Sequence, residues 1–146
     1  MVKFEIDELH KIAQMGKECC EHLLEYANNS LYETVNNQLK SYEEQMHKME
    51  QIYVGTEDIS SAKSKCYSIM MKTRLSRRHN TYDLVKALLK GNIMGQEALA
   101  DFIQCPFNSD ESKELAIDML KAVTKNINSL LNDFYYNAFE HTCCKA

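Results

Sequence analysis

Apolar residues return every three or four positions through four long stretches of this chain, and helix breakers are scarce within them. From Ile6 to Ala27 the series Leu9, Ile12, Ala13, Gly16, Cys20, Leu23, Leu24 and Ala27 falls on one side of a helical wheel and leaves the charges on the other. Only four Gly and one Pro occur in 146 residues, against eight Met and many Leu, Lys, Glu and Gln. Those side chains lose little rotamer freedom in a helix. No stretch alternates with the period of two that a half-buried strand requires. The expectation is an all-α chain, long enough for one domain whose core needs neither metal nor disulfide in order to fold.

Local signals divide the helices. Asn28 and Asn29 interrupt the first series, and Ser30 with Glu33 has the capping-box spacing that starts a second helix, with Gly55 as its stop. Its stripe is Val35, Leu39, Tyr42, Met46, Met49 and Tyr53. Ile59, Ala62, Cys66, Ile69, Met70 and Thr73 outline a shorter helix, after which polar Ser76 to Asn80 turns the chain. A third long helix carries Tyr82, Val85, Leu89, Ile93, Leu99 and Ile103 inward until Pro106 ends it. Asn108 and Glu111 repeat the cap-and-box spacing, and a fourth helix gathers Ala116, Leu120, Val123, Ile127, Leu130, Leu131 and Phe134 on one face. The predicted spans are 6–27, 31–54, 59–74, 81–104 and 110–141, with a tail at 142–146. Each long stripe must be buried against the others, so the expected packing is an antiparallel up-down four-helix bundle with an extra short helix between the second and third long ones.

A net charge of −4 argues against a dedicated nucleic-acid binder, because phosphate affinity rests on basic patches. The one basic run, Lys72, Arg74, Arg77 and Arg78, reads as a solvated helix end, with an anionic contact as the alternative. Met1 to Leu9 mixes Lys3, Glu5, Asp7 and Glu8 with Phe4 and Ile6, unlike an export signal, and no apolar run approaches the roughly 18 residues of a membrane span. A cytoplasmic protein with reduced thiols is the expectation for these six Cys.

The order and lengths of these helices resemble those of ferritin-like bundles. More narrowly, Met70-Met71-Lys72-Thr73 and Leu88-Leu89-Lys90-Gly91-Asn92-Ile93-Met94-Gly95 resemble a group of short uncharacterised ferritin-like proteins from Gram-positive anaerobes. The broader resemblance implies a di-iron site of inward Glu residues and Glu-x-x-His pairs. Glu44-x-x-His47 has that spacing. On the second helix's wheel, however, Glu44 falls at about 180° and His47 at about 120° from the apolar stripe, with Glu43 and Glu50 on its flank at about 80° and 60°. On the first helix Glu18, Glu21 and His22 also point away from the core, and the fourth has no Glu-x-x-His before Glu140 and His141. The iron set is therefore not expected as a set.

Two vicinal thiol pairs, Cys19-Cys20 beside His22 and Cys143-Cys144 beside His141, carry soft ligands suited to Zn²⁺ or Cu⁺. Cys20 is expected in the core, Cys19 on the flank, and the tail pair on the order of 20 Å from the first. Asn92 and Gln96 fall near the centre of the third helix's apolar face, beside Gly91 and Gly95, where a polar inter-helix network is the expectation. No phosphate loop or selected nucleophile pair appears. Phe134, Tyr135, Tyr136 and Phe139 give the last helix more apolar directions than one stripe needs, as a homodimer surface would, with packing over the open end of the bundle as the alternative. The leading expectation is a noncatalytic bundle that acts through self-association or a protein partner. The alternative is a metal-binding bundle or oxidoreductase using iron, manganese or zinc.

Overall fold

The computed structural model describes residues 3–52 and 80–136 of the chain. These residues are helical: α1 Lys3–Leu24, α2 Asn29–Ile52, α3 Thr81–Gln104 and α4 Asp110–Leu130, followed by a π-helical turn at Leu131–Tyr136, with no strand among them. No described helix is long and apolar enough to cross a membrane. The expected short helix at 59–74, Tyr53, Gly55, the basic run and the tail lie outside the described residues.

The helix ends show which side chains punctuate the chain. The start of α2 is capped by Asn28 rather than Ser30, for Asn28 Oδ1 accepts the Leu31 amide at 3.3 Å and Ser30 already lies inside the helix. Asn80 caps α3 by accepting the Asp83 amide at 2.8 Å. At the other end of α3, Cys105 is extended, as the residue before a proline prefers. Asn108 was expected to cap α4, but its amide donates to the Phe102 carbonyl at 2.9 Å. That carbonyl also accepts the Cys105 amide at 3.3 Å, and the bond leaves Ser109 as the cap, accepting the Ser112 amide at 3.3 Å.

Consecutive helices form the closest pairs, α1 with α2 and α3 with α4, and α1 against α3 joins the two pairs. The core runs through Leu9, Ala13, Cys20 and Leu23 of α1, Val35 and Met49 of α2, Val85, Leu88 and Leu99 of α3, and Val123 and Leu130 of α4. On α3 the burial axis differs from the expected one. Tyr82 and Ile93 are exposed, while Leu84, Leu88, Asn92 and Phe102 are buried, because α3 is covered by α1 and α4 together and turns its Leu88–Asn92–Leu99 line between them. The last helix widens into the π-turn at Leu131 instead of continuing as α-helix. Phe134 and Tyr135 pack there against the core and Tyr136 is exposed.

Two polar contacts tie the ends of the helix pairs. Glu5, only 5% exposed, accepts the Ser109 amide at 2.9 Å and the Ser109 hydroxyl at 2.8 Å, anchoring the start of α1 to the cap of α4. At the opposite end of α1, Asn28 donates to the Thr81 hydroxyl at 2.8 Å. Glu5→Ala strips the half-buried Ser109 amide of its acceptor and is expected to lower the unfolding free energy by about 1 kcal/mol, measured by urea titration with circular dichroism.

Candidate functional site

Polar side chains meet in the middle of the apolar interior. Gln38 and Tyr42 are four residues apart and so share a face of α2, opposite Asn92 of α3. The Tyr42 hydroxyl donates to Asn92 Oδ1 at 2.6 Å, and Asn92 Nδ2 donates to Gln38 Oε1 at 2.8 Å and to the Leu88 carbonyl at 3.0 Å. Asn92 is 1% exposed and has both ends of its amide satisfied, as burial of a polar group demands. The Gln38 amide is less well served, because its Nε2 is buried without a partner. Gln96 stands one turn further on, half-buried, and donates weakly to Thr124 of α4 at 3.4 Å.

Gly16 makes this arrangement fit. A Cβ at position 16 would run into the Tyr42 ring, so the ring lies directly against the α1 backbone on its way to Asn92. Beside this contact a cavity of about 430 Å³ opens among the four helices, with walls from Ile12, Met15, Tyr42, Gln45, Gly95 and Val123. A Cβ at Gly95 would meet nothing within 4 Å, which places that glycine against open space rather than against a neighbour.

The candidate metal ligands are distributed differently. Glu43, His47 and Glu50 are exposed and border one open depression together with Lys17 and Lys40, whose ammonium groups oppose a bound cation. His47 hydrogen-bonds Gln51 at 3.1 Å, and Glu50 meets the buried His10 of α1 at 3.2 Å. Glu18 accepts from Gln14, and His22 is half-buried on α1. Among the described residues no group of three or more His, Cys, Asp or Glu is arranged to hold a metal ion. His141, Cys143 and Cys144 lie outside them.

Both Cys19 and Cys20 are buried, although Cys19 was expected on the flank. Burial pushes the Cys20 thiol well above the ordinary thiol range, and the neighbouring Cys19 and Glu21 push in the same direction. That suppresses the thiolate, the form that attacks electrophiles and binds metals. Sequence reasoning missed five polar residues of the interior: Glu5, His10, Gln14, Gln38 and Ser112. His10 had a legible signal, lying four residues after Ile6 and three before Ala13 on the buried stripe. Comparison with known proteins adds no relative: no family model, curated protein or solved structure matches this chain.

Tyr42→Phe leaves Asn92 Oδ1 buried without its donor, with an expected loss of about 1–3 kcal/mol in urea unfolding and no change of helical content. The Cys20 shift has a pH consequence. In the unfolded chain a thiol ionises near pH 8.5, whereas the buried Cys20 stays neutral above that value. Its contribution is complete below the unfolded value and declines as pH rises beyond it. Thermal melts of Cys20→Ala are therefore expected to show a shallower alkaline loss of Tm than the parent chain.

Proposed function

We propose that this protein is a noncatalytic, ferritin-like four-helix bundle that acts by associating with a second copy of itself. The residue pairings support the bundle arrangement. Numbers fall along α2 as they rise along α1, with His10 beside Glu50 and Gly16 beneath Tyr42. They rise together along α2 and α3, with Asn28 beside Thr81 and Tyr42 beside Asn92. In this reading α2 and α3 run the same way, and the one long connection falls between them, which is the connectivity of ferritin-like folds rather than strict alternation of direction.

The observation that carries the association is the placement of exposed aromatics. Phe4 is 73% exposed and Phe107 is 92% exposed, and they flank the Glu5–Ser109 contact at one end of the helices. Ile52, at the end of α2 nearest His10, adds to the same end. Large apolar side chains that face water together favour contact with another apolar surface, and a closed homodimer buries the same patch twice. Tyr42 and Asn92 at the helix core have structural partners of their own, so the reading needs no reaction there.

Sedimentation velocity on the full chain tests this, over roughly a hundredfold dilution because association follows mass action. A dimer that dissociates on dilution is expected, and the double variant Phe4→Ser with Phe107→Ser should sediment as monomer throughout. Chelator in the buffer should leave the profile unchanged. A monomer at every concentration, or a dimer indifferent to the two substitutions, overturns the assignment.

A further inference from the structure

We infer that association at the Phe4–Phe107 end is governed by ionic strength: a rim of carboxylates keeps two copies apart in dilute salt and lets them meet once salt screens it. This rests on the self-association reading and adds the condition under which that surface closes.

The rim is built from both helices that carry the exposed aromatics. On α1, Asp7 and Glu8 lie three and four residues after Phe4, the spacing that makes helical side chains neighbours. On α4, Asp110 and Glu111 follow Phe107 by three and four residues and occupy the first turn, next to the Ser109 that Glu5 holds. Asp101 of α3 lines the same cavity as Glu8 and Lys11, which adds a fifth carboxylate. All but the half-buried Asp7 are exposed.

Against these five stand Lys3 and Lys11, so this end carries an excess of three negative charges, leaving aside the buried Glu5. Lys48 and Glu50, beside Ile52 on α2, cancel one another. The first charged residues after Ile52 in sequence are again acidic, Glu57 and Asp58. The basic run Lys72–Arg78 instead precedes Asn80, which caps α3 at the opposite end.

Symmetry turns this excess into a control on assembly. A closed homodimer sets a surface against its own copy, so each rim meets charge of its own sign. Repulsion between the rims reaches across the Debye length, roughly 30 Å at 0.01 M salt and 3 Å at 1 M. Apolar contact acts only at short range. Dilute salt therefore lets repulsion oppose the approach, and concentrated salt removes it while the attraction of the phenylalanines remains. The sign is diagnostic of the partner, because a basic partner would be drawn to the same rim and would bind more weakly as salt rises.

Sedimentation velocity of the full chain at about 0.01 M and about 0.5 M NaCl reads the effect. The dimer dissociation constant is expected to fall by about tenfold between them, the order of repulsion that three charges exert on three others across water. The triple variant Asp7→Asn, Glu8→Gln, Asp101→Asn removes the excess and should dimerise in dilute salt as tightly as the parent does in concentrated salt. Glu8→Gln with Asp101→Asn, both exposed, repeats the test with a smaller shift should the triple variant disturb α1, as judged by circular dichroism. A second triple variant, Glu25→Gln, Glu33→Gln, Asp133→Asn, changes the net charge equally at the opposite end and should keep most of the parent's response. A monomer at every salt concentration overturns the self-association reading itself. A dimer that ignores salt, or loosens as salt rises, overturns the ionic control alone. Equal flattening by both triple variants overturns its assignment to the rim.

Discussion

The hydrogen bond from Tyr42 to Asn92 is the contact around which the interior is arranged. It crosses from α2 to α3, and the ring that carries it must pass over α1 at a position where only glycine leaves room. One bond thus fixes the relative placement of three helices. Apolar packing alone rewards burial without specifying registry, whereas a buried amide tolerates few alternatives because every misplacement leaves a polar atom unsatisfied. Asn92 enforces this more strictly than a hydroxyl would, since it has an acceptor and two donors to place and finds Tyr42, Gln38 and its own helix's Leu88 carbonyl for them.

Seen along the helices, the joint between the two helix pairs is polar at three levels. Glu5 with Ser109 closes one end, Gln38 and Tyr42 with Asn92 hold the middle, and Asn28 with Thr81 closes the other. Between those levels lie Leu9, Leu88, Leu99 and Val123, which supply the apolar burial. The carboxylate of Glu5 also reinforces the start of α4, because the serine it holds is the residue that caps that helix. A tertiary contact and a local helix signal are therefore combined in one residue, Ser109.

Much of this architecture is readable from the sequence because helix formation and burial leave a periodic trace. The all-helical class follows from the stripes and from the shortage of Gly and Pro, and the placement of Asn92 near the middle of an apolar face is a matter of counting. The capping residues were harder. Ser30-x-x-Glu33 and Asn108-x-x-Glu111 satisfy a local pattern, but tertiary neighbours decide which of two nearby polar residues takes the role, Asn28 in one case and Ser109 in the other. The α3 axis was misplaced for a related reason, since a wheel drawn from one helix averages over neighbours whose positions it does not know. Gly16 and Gly95 look alike in sequence, yet one faces an aromatic ring and the other faces space, a distinction that only packing provides. The cavity had no sequence signature at all.

The segregation of polar contacts along the joint bears on how the molecule breathes. Within each helix pair the partners are close in sequence and tightly packed, while the bonds between pairs join residues about fifty or more positions apart. Such a division makes the two pairs natural units of cooperative opening, with their separation requiring less free energy than the unravelling of either. Partial separation would wet Asn92 and Gln38 while their own helices stayed intact, and water would satisfy the amides during the excursion. Small molecules could enter the interior by that route on the timescale of local opening, with no permanent channel through the helices.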